Sequence, residues 1–301
     1  MRKILIGAAS AGLLFAASCK EHGVPINITE DLSKDSTSVG AVEEPQKKRV
    51  LIEELSGVRC VVCPKGAEKL KELETQHPGR VSIVSLHAGD LTTPLSESHQ
   101  DFRTEDGENL LKQTLGEKSG SKPSSVFDRL PFGNQGYKYL VNGYMDWPDR
   151  LSKALDMNPT TPVNIALTSV YDDAKEEYVI EVTVKYTKAV NEQYALNLFL
   201  TEDKIIDAQE FSSTNIQEDY EFNHVFRKSI TPVVTGKPIL PDMDTKEAGR
   251  IYWCRTTFKI DKTDEKQRLW NPANMKVTAF ASIMDPNNKR VIQVQETKLV
   301  P

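Results

Sequence analysis

The chain has 301 residues, 39% of them hydrophobic and 27% charged, with a formal charge of −5. That composition excludes a disordered or fibrous chain, and with this length it predicts two domains of ordinary size. The first 18 residues contain Arg2 and Lys3, so the remainder of the chain carries −7, and nothing in that balance suggests nucleic acid, which normally calls for a basic face.

Residues 1–18 read as an export signal peptide, with cationic Arg2 and Lys3 ahead of a small, apolar run over residues 4–17. The run falls short of the ~20 residues a helix needs to cross a bilayer, which predicts cleavage. Ala16-Ala17-Ser18-Cys19 resembles the lipobox of bacterial lipoproteins, where small residues admit the peptidase and the cysteine sulfur receives diacylglycerol. The resemblance implies a lipoprotein acylated at Cys19, with palmitate-type chains as its membrane contact, on the outer membrane and facing the periplasm or the cell surface. Residues 19–48 are polar without an apolar period and read as a flexible lipidated tether. Its basic run Lys47-Lys48-Arg49 reads as a solvated strand start.

Residues 49–157 form the first expected domain. A strand opens at 50–52, a helix is expected over 65–76 with Ala67, Leu70 and Leu73 as its apolar stripe, and a second strand covers 81–86. This order predicts a βαβ unit with parallel strands. Cys60 and Cys63 lie at its strand-to-helix turn, where a helix amino end favours a thiolate. Cys60 is expected as the attacking thiolate, assisted by the charge of Arg59, and Cys63 as the more buried, resolving thiol.

The same stretch resembles the thioredoxin superfamily. Glu54, six residues before Cys60, matches the buried carboxylate that relays a proton in many members, and Lys122-Pro123 ahead of Ser124-Ser125-Val126-Phe127 matches the cis-proline loop. Residues 108–115 take the place of the family's middle helix. The resemblance implies a thiol-disulfide oxidoreductase acting on extracytoplasmic proteins, without a cofactor, in which Pro123 holds substrate backbone and Glu54 relays the proton. Arg59 replaces the usual Trp, and Val61-Val62 an unusual dipeptide, so reductant and oxidant both stay open. So does a second class, in which Cys60 and Cys63 form a permanent disulfide in a non-enzymatic surface-binding or adhesin-type scaffold. Zinc is disfavoured because no second closely spaced ligand pair accompanies the CxxC. His87 reads as a loop residue with satisfied hydrogen bonds, His224 as a strand residue with a structural one, and Cys254 as a buried free thiol.

After the break at residues 156–162, Tyr178, Ile180, Val182, Val184 and Tyr186 alternate with Glu181, Thr183 and Lys185, and further strands follow at short spacing. Residues 158–301 are therefore expected as an antiparallel, immunoglobulin-like β-sandwich, and the fold class as α/β plus all-β. The run Glu53-Glu54-Leu55-Ser56-Gly57 with Cys60, Cys63 and Pro64, together with Tyr220-Glu221-Phe222-Asn223-His224-Val225-Phe226-Arg227, resembles the Omp28-related outer-membrane lipoproteins of Bacteroidota.

Overall fold

A computed structural model describes residues 34–299. The expected signal peptide and the acylation site Cys19 lie outside the described residues. From its first described residue the chain is a strand, β1 (Lys34–Val39), paired antiparallel with β13 (Arg250–Phe258). The tether expected over 19–48 is corrected for this stretch. β13 offers a free sheet edge, and Asp35 anchors the added strand by accepting from Tyr252 Oη (2.8 Å) and Lys237 Nζ (2.6 Å). The basic run is corrected too, since Lys48 is buried in an ion pair with Asp128 (2.9 Å).

β2 (Val50–Leu55) and β3 (Val81–Leu86) are parallel and joined through α1 (Cys63–Gln76), so the expected βαβ unit forms. α1 starts two residues earlier than expected, because the fixed φ of Pro64 suits a first helical turn. α2 (Glu105–Asn109) continues as a π-helical turn over Leu110–Thr114. β4 (Ser124–Phe127) runs antiparallel to β2, with the short β5 (Val141–Asn142) beside it and α3 (Trp147–Met157) next in the chain.

Every residue of β2 and β3 is buried, since both faces of the sheet are covered. Val50, Ile52, Val81 and Ile83 pack with Leu70 and Leu73 of α1 and with Trp147 and Leu151 of α3. Leu51, Leu55, Val84 and Leu86 face the other way, toward Leu110, Leu111, Phe199, Phe226 and Phe280. Glu53 lies among them, held by two hydrogen bonds from the Arg129 guanidinium (2.7 and 2.9 Å).

Beyond α3 the chain is almost entirely strand: β6 (Val163–Asp172), β7 (Glu177–Tyr186), β8 (Tyr194–Glu202), β9 (Ile205–Ser212), β10 (Asn215–Phe222), β11 (Val225–Ser229), β12 (Lys237–Pro238), β13, β14 (Met275–Ile283) and β15 (Val291–Lys298). A four-stranded sheet in the order β1-β13-β7-β6 lies over β8 and β14. The alternation read in β7 is real, with Ile180, Val182, Val184 and Tyr186 buried against Leu198, Leu200 and Val277.

The boundary expected at 157/158 does not divide the sheet. β11 pairs parallel with β3 and antiparallel with β8, producing one nine-stranded sheet that runs from β15 to β5. Phe226 of β11 packs with Leu86 and Phe280, which belong to the two expected domains. The physical reason is the open edge of β3: a strand buried along its whole length cannot be left unpaired at a solvent edge.

Candidate functional site

The turn leaving β2 is set by Gly57, where an added Cβ would lie 2.3 Å from the Leu91 carbonyl oxygen. The chain then doubles back through Cys60 N to Gly57 O (3.0 Å) and Cys63 N to Cys60 O (3.1 Å). Cys60 and Cys63 form a disulfide, and each is only 2% exposed, while Val61 and Val62 between them are 43% and 41% exposed. The expected difference in burial between the two cysteines is therefore absent. The Arg59 guanidinium is held by the carbonyls of Thr93 and Pro94, to which it donates (2.8 Å each). The helix begins at Cys63, not at Cys60, and the Cys63 and Lys65 amides already donate to Cys60 O and Val62 O. What the helix offers the sulfurs is its macrodipole, not free N–H groups.

A segment about 150 residues downstream bonds to the turn that carries the pair. The β9–β10 hairpin stands apart from the two larger sheets. Gln209 Nε2 donates to the Cys60 carbonyl (3.1 Å) and Glu210 N to the Val58 carbonyl (2.8 Å).

Lys122-Pro123 is a cis peptide, and an added Cβ on Gly66, one turn beyond Cys63, would lie 3.0 Å from Pro123 Cβ and 3.1 Å from the Trp147 ring. Pro123 is thus brought against the face of α1 that carries Cys63. Glu54 projects to the α1 side of β2 and is 3% exposed. It accepts from Ser85 Oγ (2.8 Å) through Oε2, while Oε1 has no partner. Burial pushes its carboxyl up to about 7, against a small opposing effect of the Ser85 hydrogen bond.

Glu54 and Cys63 line one cavity of about 440 Å³, together with Ser56, Ser85, Gln209 and Tyr220; Cys60 does not line it. Its rim carries Glu68, Lys71, Glu74 and Glu221. At its far end His224 Nδ1 lies 3.4 Å from Asp203, which binds Lys276 Nζ at 2.7 Å. His224 is corrected from a strand residue to a kink between β10 and β11 with φ 58°, and burial holds its imidazole below the ordinary range although Asp203 pulls the other way. His87 is also corrected. It is buried edge-on between Phe102 and Phe222, neither ring nitrogen has a well-formed hydrogen bond, and burial, aided by Lys122 and Arg227, pushes it down to about 3. Cys254 is a buried free thiol, as expected. Gln209, Asp203 and Lys276 were not singled out by sequence reasoning. The only signal nearby was the Tyr220–Arg227 run, which ends the hairpin and enters β11.

No helix among the described residues is long and apolar enough to cross a membrane. A family profile described as outer membrane protein Omp28 matches residues 130–301. No curated protein matches the chain. Among solved structures, HBP35 of Porphyromonas gingivalis superposes with a TM-score of 0.61 at 17% identity, covering 84% of this chain and 76% of that one, which shows a shared fold. Protein AGR_C_4864 from Agrobacterium tumefaciens reaches a TM-score of 0.49 at 10% identity over 85% of this chain and 97% of its own.

Proposed function

Because the chain belongs to the Omp28 outer membrane protein family, we propose that it is an envelope lipoprotein carrying a thiol-disulfide exchange site at Cys60 and Cys63. In this reading residues 1–18 are removed and Cys19 is acylated, anchoring the body to the outer membrane on its periplasmic or surface side. The partners are extracytoplasmic thiols or disulfides. The first half is thioredoxin-like, and the antiparallel layers behind it are an immunoglobulin-like sandwich that braces the site.

The observation that carries the exchange reading is the half-satisfied carboxyl of Glu54 in the cavity that Cys63 lines. A buried carboxyl oxygen without a partner costs about 1–3 kcal/mol, a cost that a static disulfide gives no reason to keep. A carboxyl poised near neutrality can take and return a proton during exchange. Pro123, packed on Gly66, supports the reading as the residue beside the pair that would orient a partner.

A second reading, a static disulfide in a non-enzymatic surface-binding scaffold, is favoured by the 2% exposure of both cysteines under the hairpin. Equilibration of the protein with dithiothreitol couples separates the two. Exchange predicts a potential above about −300 mV, and a lower value assigns the disulfide a structural role.

A further inference from the structure

We infer, building on the exchange reading, that outside partners reach the pair at Cys63 through the cavity, and that they are small aminothiols and their disulfides. Four observations converge on this. Cys63 lines the cavity and Cys60 does not, and the carbonyl of Cys60 is clamped by Gln209 under the β9–β10 hairpin. Glu54, whose buried Oε1 has no partner, lines the same space, so a candidate base and the Cys63 residue border one chamber. The chamber, at about 440 Å³, has the size of a small-molecule site. Four carboxylates besides Glu54 (Glu68, Glu74, Asp203 and Glu221) line it against Lys71 and Lys276, which favours a cationic over an anionic thiol.

The step balances within the named reactants. A thiol RSH gives its proton to Glu54, and the thiolate attacks Cys63 Sγ. The Cys60–Cys63 bond breaks, Cys60 leaves as thiolate and takes the proton back from Glu54, and R–S–S–Cys63 remains. A second RSH attacks the R sulfur, releasing RSSR and leaving Cys63 protonated. Two thiols are oxidised to one disulfide, and the protein disulfide is reduced to a dithiol. A small disulfide runs the same steps backward.

The test compares full-length Cys60→Ser protein, which keeps Cys63, with Cys63→Ser protein, which keeps Cys60, each reacted with cystamine and followed by intact mass. Cys19 and Cys254 are common to both. Cys63 is expected to form the cysteamine adduct faster by about tenfold or more. Equal rates, or a faster Cys60, overturn the assignment while leaving exchange standing; if neither cysteine reacts, the exchange reading falls with it. Should the serine variants not fold, the alanine pair, better suited to positions 2% exposed, gives the same comparison. In Cys60→Ser protein cystamine is expected to outpace dithiodipropionate, with the gap narrowing in salt. A faster dianion overturns the substrate class.

Discussion

Replacing Glu54 with glutamine removes one titrating group from the interior while keeping its size and its ability to accept from Ser85. Carrying the carboxyl from its ordinary 4.5 to about 7 corresponds to about 3 kcal/mol. The folded state holds the Glu54 proton more tightly than the unfolded chain, so this stability is fully present below pH 4.5 and is lost as pH rises toward 7. His87 acts in the opposite direction. Its imidazole is neutral in the fold down to about 3, so stability falls as pH drops below 6.5, where the unfolded chain takes up a proton and the native one does not. In the wild type the two slopes oppose one another between about pH 4.5 and 6.5, and a single profile hides both. The difference between wild type and Glu54→Gln isolates the carboxyl. Urea unfolding with the disulfide intact, at pH 4.5 and at pH 8, should show the variant gaining about 2–3 kcal/mol on the wild type at the higher pH. Parallel profiles across that range would refute the reasoning, because they would mean that Glu54 ionises in the fold as it does in water.

Other expectations rest on single contacts. Gln209→Ala removes the hydrogen bond to the Cys60 carbonyl, worth about 1 kcal/mol, and should speed reduction of the disulfide by dithiothreitol about fivefold; an unchanged rate under stopped flow means the hairpin does not guard the pair. Arg129→Met leaves Glu53 buried and unpaired, and a loss of about 3–5 kcal/mol is expected in urea. Loss of less than about 1 kcal/mol would show that water reaches Glu53. Gly57→Ala forces a Cβ against the Leu91 carbonyl and should cost about 1–3 kcal/mol, read as a lower thermal midpoint. No change would mean that the 57–60 turn yields freely.

What was legible in the sequence was local. The CxxC between a strand and a helix, the proline loop at Lys122-Pro123 and the alternation over β7 each depend on a few neighbouring residues whose conformations are set by short-range sterics and period. The family was readable from two short runs, and the profile match covers the second of them. Polar composition misled over Lys34–Val39, since an exposed edge strand needs a partner edge more than it needs apolar side chains.

The sequence by itself determined that a strand-turn-helix holds two cysteines beside a carboxylate, because those elements form from contacts within a few dozen residues. Only the tertiary structure decided what surrounds them. β11 joined two expected domains into one sheet, both Glu53 and Glu54 were buried on opposite faces, and the β9–β10 hairpin closed over Cys60 while leaving a chamber beside Cys63. Periodicity reports which face of a strand is buried but carries no information about which distant segment buries it, and here that segment is the hairpin bonded to the Cys60 carbonyl.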